Sequence, residues 1–384
     1  MEKLIQITEF DLLGKLPDPF LFNDGSRVKA AADWPKRREE IYDSAITLQY
    51  GTMPPEPEFV DVFPLYRGGK GKLNCFQIRT GRKEKPVQFT MTVILPKEGE
   101  GPYPAVITGD QCFPYAYDKE YINAFIDHDI ALVLFNRTEL VPDVNNYPER
   151  LGQLYDAYPE YTFGALGAWA WGYSRCVDAL EQIGEGIVDM SCIAFTGHSR
   201  GGKTAALAGA LDERAAIVNP NATCAGACGC YRLHLKALTE DGKEERSETL
   251  KDMNKNFPFW LGEGMKAFDD REEELPFDAH FLKAMVAPRV LFVSEAASDI
   301  WSNPVGSWLT SEAAKEVYKL FDKEENLLWY FRSGYHYQNY EDLGQLVNII
   351  RHVKYGEPLN DKFYQLPFEA PEAVEAYDWK CPEK

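Results

Sequence analysis

Nowhere does the chain run through about 18 consecutive apolar residues, the length a helix needs to cross a bilayer, so it reads as a chain that does not span a membrane. It also lacks an excess of positive charge: 41 Lys and Arg stand against 60 Asp and Glu, a formal net charge of -19. Nucleic acids and anionic membranes are bound through clustered cations, so neither is expected as a partner, and the substrate should be neutral or met by local positive charge. Ser/Gly-rich linkers, low-complexity runs and internal repeats are missing too, which favours one elaborated domain over residues 1–384, with residues 1–70 as an N-terminal extension packed on it. The first residues have no basic stretch, apolar core and cleavage site of a secretory leader. The chain therefore reads as cytoplasmic, or as secreted if a leader has been removed.

Two residue types are sparse in informative ways. The eight cysteines lack the dense spacing of a disulfide scaffold. Cys224, Cys228 and Cys230 form the one tight cluster, with His234 as the nearest fourth ligand, but the Ala and Gly between them suit a packed loop beside an active site better than a zinc knuckle. No metal and no cofactor are expected. Histidine numbers only six, which narrows the search for a general base. Aromatics, in contrast, are plentiful, with 21 Tyr and 8 Trp. Two readings stay open for them: rings exposed to stack on sugar faces, or an aromatic-rich core.

Most of the chain alternates short apolar runs with helical stretches. Residues 35–49 read as a helix laid over the sheet, and residues 72–79 and 87–95 as an antiparallel start to it. Six further runs begin at Tyr103, Ile130, Ile193, Ala215, Arg289 and Asn326. They predict an α/β fold with a mostly parallel central sheet covered by helices on both faces, which places the chemistry in loops at the carboxyl ends of its strands.

The third of those runs leads into Gly197-His-Ser-Arg-Gly201 and then a helix rich in small residues. A strand entering Gly-x-Ser-x-Gly and leaving as a helix is the nucleophile elbow of an α/β-hydrolase, with Ser199 at its apex and free helix amides available to an oxyanion. In this fold the acid and the histidine follow the serine in chain order. Only His336 and His352 lie beyond the strand that ends near Ser294. His336 falls in a Gly-containing loop and His352 in a charged helical stretch, which favours His336 as base. The acid should come from residues 295–304, where Asp299 is preferred and Glu295 is the alternative. His198 reads as a packing residue turned away from the serine. Arg200 can lend its amide and a fixed positive charge to the oxyanion, and the loop Gly109–Phe113 is expected to supply a second amide.

With these residues in view, the chain resembles the glucuronoyl esterases, carbohydrate esterase family 15, especially the bacterial branch. The resemblance runs along nearly the whole length. It is carried by Leu16-Pro-Asp-Pro, Trp34-Pro-Lys-Arg-Arg38, Gly197-His-Ser-Arg-Gly-Gly-Lys-Thr-Ala205, Leu211-Asp-Glu-Arg214, Phe257-Pro-Phe-Trp260, Leu275-Pro-Phe-Asp-Ala-His280 and Asp299-Ile-Trp-Ser-Asn-Pro304. It implies a serine esterase that hydrolyses the C6 ester of glucuronate or 4-O-methylglucuronate through an acyl-enzyme, with a uronate-ester carbohydrate as partner. It also implies Lys203, Glu248 and Trp301 as residues that hold or stack on the sugar. Lys203 lies one helical turn from Ser199, on the same face. There are two departures from the family pattern. Residues 219–223, Asn-Pro-Asn-Ala-Thr, offer no carboxylate where many members carry a catalytic glutamate, which leaves the acid role to Asp299, and the family is usually exported whereas the first residues here show no leader. Residues 233–246, just before Glu248, read as an insertion. Two other readings stand beside this one: an acetyl xylan or other carbohydrate esterase, which a small pocket lacking the Trp301 wall would favour, and a carbohydrate-binding homologue with impaired catalysis, which the missing glutamate suggests.

Overall fold

In a computed structural model, residues 6–144, 150–238 and 242–383 are described. Their strands are β1 (Gln6–Leu12), β2 (Phe59–Arg67), β3 (Leu73–Gly81), β4 (Pro86–Ile94), β5 (Tyr103–Thr108), β6 (Ala131–Phe135), β7 (Val188–His198), β8 (Ala215–Asn221), β9 (Leu233–Leu238), β10 (Glu244–Arg246), β11 (Val290–Ala296) and β12 (Leu327–Arg332). Nine of them form one sheet in the order β12-β11-β8-β7-β5-β6-β4-β3-β2. The stretch from β12 to β6 is parallel, and β4, β3 and β2 are added antiparallel. The expected mostly parallel sheet is thus present, and all eight expected strands belong to it.

The parallel strands are apolar on both faces because both are covered, and their period of two divides the core. Ala105, Ile107, Val133 and Phe195 face one cluster, which includes helices Ala165–Ile183, Arg200–Leu211 and Pro304–Lys319. Val106, Leu132, Leu134 and Ala194 face the other, against helices Lys119–Ile126 and Tyr340–Tyr355.

Three segments differ from the sequence reading. Within the N-terminal extension, β2 is the exposed edge strand of the large sheet. It carries Pro64 and a register shift between Pro64 and Tyr66, both of which weaken a strand signal and suit only an edge. The expected helix over 35–49 is α-helical over Trp34–Ile41 and continues with wider π-type turns over Tyr42–Leu48. The segment read as an insertion forms β9 and β10, which join β1 in a small separate sheet, with β1 pairing antiparallel to β9. Residues 239–241 of that segment lie outside the described residues. The partner of β1 lies more than 200 positions along the chain, which local periodicity cannot reveal.

Candidate active site

Strand β7 ends at His198, and the helix begins at Arg200. Between them Ser199 has φ 56° and ψ -118°, a strained conformation that the turn imposes on the residue at its apex. The strain is held by hydrogen bonds on both sides: Ser199 N–H donates to Asn221 O at 2.8 Å, and Lys203 N–H donates to Ser199 O at 2.9 Å. Gly197 and Gly201 are required by space, since a Cβ on Gly197 would meet Gly201 O at 2.4 Å.

Ser199 Oγ lies 2.8 Å from His336 Nε2, and His336 Nδ1 lies 2.6 Å from Asp299 Oδ2. The three side chains form one hydrogen-bonded line from the elbow, across the loop after β12, to the loop after β11. Asp299 is buried, and Ser302 hydroxyl, one turn further on, donates to its Oδ2. Ser302 Oγ is also 3.3 Å from His336 Nδ1. Glu295 is not part of this line. It is fully buried at the end of β11, accepts a hydrogen bond from Ser307 Oγ at 2.7 Å, and is pushed by burial up to a pKa of about 8.

His198 is not turned away from the site. Its ring centroid is 4.8 Å from that of His336. Its Nδ1 is 2.7 Å from Asn221 Oδ1, while Asn221 Nδ2 donates to Ser294 O and Oγ. The cause is register: His198 pairs with Asn221 across β7 and β8, so the asparagine in the carboxylate-free segment 219–223 reaches the neighbour of the nucleophile. Burial, and then the proximity of His336, lower the pKa of His198 to about 4, so it is neutral at ordinary pH.

Arg200 sits at the first helical position, where its amide has no acceptor within the helix. Its guanidinium lies 3.0 Å from Asp143 Oδ1 and packs over Phe257 and Trp260, 5.0 and 4.9 Å from the ring centroids. In the loop after β5, four amides are already engaged: Gly109 with Tyr173 Oη, Asp110 with Thr108 Oγ1, Gln111 with Phe135 O, and Phe113 with Asp110 O. None of these four is free for the second oxyanion contact expected of this loop.

Lys203 is buried on the serine's side of the helix. Its ammonium donates to Thr223 O and Ala225 O and lies 3.2 Å from Glu248 Oε2. Glu248 is buried as well, and burial raises its pKa although Lys203 opposes the shift. Its amide donates to Trp301 O at 3.0 Å, which ties it to the turn after Asp299. Trp301 keeps 38% of its surface exposed, with the Arg246 guanidinium 5.7 Å from its ring. The three cysteines of the cluster are free thiols that point to different partners, Cys224 to Ser302 and Cys230 to Asp278. His234 is 4.0 Å from Glu272.

Asp110, Asn221 and Ser302 lie in segments that the sequence marks out for other reasons, the loop Gly109–Phe113, residues 219–223 and Asp-Ile-Trp-Ser-Asn-Pro, but no spacing signal points to these side chains, and Asp143 lies in none of them.

A family model described as glucuronyl esterase, fungi, matches residues 78–322. The 4-O-methyl-glucuronoyl methylesterase of Schizophyllum commune is 31% identical over 313 residues, 81% of this chain and 75% of that protein. That of Podospora anserina is 30% identical over 315 residues, 81% of this chain but only 61% of that protein, so the chain spans less than two thirds of this relative. Among solved structures, a carbohydrate esterase family 15 glucuronoyl esterase from Caldicellulosiruptor kristjansonii superposes with a TM-score of 0.81 at 29% identity, over 94% of this chain and 96% of its own. The glucuronoyl esterase catalytic domain from Hypocrea jecorina gives 0.79 at 26% identity, over 98% of both chains.

Proposed function

The chain belongs to the glucuronoyl esterase family, and on that premise we propose that it hydrolyses the ester between the C6 carboxyl of a glucuronate or 4-O-methylglucuronate and an alcohol. The observation that carries this reading is the continuous hydrogen-bonded line Ser199–His336–Asp299 beside the buried Lys203–Glu248 pair and the exposed face of Trp301.

Ser199 Oγ attacks the ester carbonyl as His336 Nε2 takes its proton, and Asp299 holds the Nδ1–H that fixes the tautomer. Negative charge then collects on the former carbonyl oxygen, where the unengaged Arg200 amide and the adjacent guanidinium stabilise it. His336 returns the proton to the departing alcohol. Water, activated by the same imidazole, attacks the acyl-enzyme and releases the uronate. Glu248 and Trp301 address the sugar, the carboxylate a hydroxyl and the indole the flat of the ring, while Lys203, whose three N–H groups are taken by Thr223 O, Ala225 O and Glu248, holds that carboxylate in place.

The test is hydrolysis of benzyl glucuronate beside an acetylated sugar, with Ser199→Ala and Asp299→Ala as controls. The reading predicts preference for the uronate ester, abolished by Ser199→Ala and strongly reduced by Asp299→Ala. Preference for the acetyl ester refutes the substrate, and sugar binding without turnover of either ester refutes the enzyme.

A further inference from the structure

The cations gathered around Ser199 are each matched by a carboxylate. Arg200 Nη1 lies 3.0 Å from Asp143, Lys203 Nζ 3.2 Å from Glu248, and Arg246 Nη2 2.8 Å from Asp252. Beneath them, fully buried Arg137 contacts Asp110 and reaches within 3.7 Å of Asp143 Oδ2. Outside these pairs stands Asp299, whose partner His336 is charged only when protonated. With His336 neutral, the five carboxylates named here, Asp110, Asp143, Glu248, Asp252 and Asp299, outnumber the four cations by one.

The reaction changes the summed charge of site and ligand only at the end. The ester is neutral. Forming the tetrahedral intermediate moves a proton from Ser199 to His336 and a negative charge onto the ester oxygen, so site and ligand together keep the charge they had. Hydrolysis of the acyl-enzyme then yields a carboxylic acid that loses its proton at neutral pH, and for the first time the ligand is an anion with no imidazolium beside it. An unmatched arginine beside that carboxylate would grip it as a two-pronged ion pair. Here the guanidinium is already engaged by Asp143, whose side chain is only 8% exposed, while Phe257 and Trp260 hold its flat face.

Building on the uronate-ester reading, we propose that Asp143 makes the site selective against its own product. It positions Arg200 for the oxyanion and cancels its long-range charge, so the neutral ester is accepted and the uronate is shed. Asp143 is a positioning residue, since it acts through Arg200.

The test is inhibition by sodium glucuronate of benzyl glucuronate hydrolysis in the parent enzyme and in Asp143→Asn, which keeps the shape and the acceptor oxygen but removes the charge. The ratio of the glucuronate Ki to the ester KM should fall about tenfold in the variant, the scale expected from removing one nearby charge at a half-buried site. A purely structural role would lower kcat and Tm and leave that ratio alone, and an unchanged ratio overturns the proposal. The unmodified enzyme supplies a second measurement that holds even if the variant fails to fold. Added salt screens the repulsion, so glucuronate should inhibit more strongly as ionic strength rises while KM stays level; inhibition indifferent to salt, or weakened by it, overturns the proposal. A parent enzyme that does not turn over benzyl glucuronate refutes the substrate reading itself. That failure shows before any ratio is taken, and the inference falls with it.

Discussion

A methyl group on Gly201 would stand 2.1 Å from Oδ1 of Asp110, inside the volume that the carboxylate already fills. Asp110 cannot retreat: it accepts hydrogen bonds from His198 N–H at 2.9 Å and Tyr115 Oη at 2.5 Å, and pairs with buried Arg137. The second glycine of the elbow thus answers to a carboxylate brought by the loop after β5, as well as to the turn's own backbone.

Gly201→Ala should therefore displace the start of the nucleophile helix. The expected result is a loss in kcat/KM of about 100-fold, because misplacing a reacting group by about 1 Å costs that much, with about 1–3 kcal/mol lost from stability by overpacking. Steady-state kinetics and urea unfolding of the same preparation check both. A variant with parental kinetics would mean that Asp110 has room to move.

Glu295 predicts a pH dependence of stability. Folded, it keeps its proton up to about pH 8, because burial disfavours the carboxylate and Lys283 offsets this only in part; its ordinary value is 4.5. Between those values the native state holds a proton that the unfolded chain has lost. This residue's contribution is therefore most favourable below its ordinary value and declines as pH rises toward its folded value, by at most about 1.4 kcal/mol per pH unit. Glu295→Gln copies the protonated shape and should remove the decline. Unfolding free energies compared across pH should converge in acid and favour the variant increasingly toward pH 8; parallel curves would contradict the assignment.

The Lys203–Glu248 pair is buried on both sides. Lys203→Met leaves a carboxylate enclosed without its cation and should cost about 3–5 kcal/mol, the range for breaking a buried ion pair from one side. Adding Glu248→Gln should restore part of that loss while KM for the uronate ester remains raised. Urea denaturation of both single variants and the double variant measures the coupling, and additive losses would show that the two charges do not depend on each other.

Trp301 keeps 38% of its surface exposed, and the remainder is packed. Trp301→Ala should cost about 1–3 kcal/mol of stability from the burial that is lost. KM for benzyl glucuronate should rise about 3- to 10-fold, the value of a lost aromatic contact, with kcat nearly unchanged. A fall in kcat at constant KM would assign the indole to the transition state instead.

The sequence was most readable where one short stretch determines the outcome. The strands β5, β6, β7, β8, β11 and β12 announce themselves because burial on both faces demands unbroken apolar runs. Gly197, Ser199 and Gly201 announce themselves because the turn admits few other residues. Ser199, Asp299 and His336 could be selected by chain order and lie within hydrogen-bonding reach of one another. What stayed hidden depends on distant partners. Strand β1 has a register shift between Ile7 and Glu9 that breaks its alternation, and its pairing depends on β9. Asp143 is a lone carboxylate in a loop, and nothing near it announces an arginine 57 positions later. His198 was misread because its surroundings come from Asn221 and His336.

The pairing of β1 with β9 divides responsibility within the molecule. Ser199, Asp299 and His336 stand on the large sheet, whereas Glu248 follows directly from the small one, whose outer strand is drawn from the first dozen residues. If Glu248 holds the sugar as proposed, loosening that arm would leave an enzyme still able to cut an activated ester but poorer at telling which sugar it holds. On that reading discernment, more than reactivity, depends on how firmly the beginning of the chain is fastened.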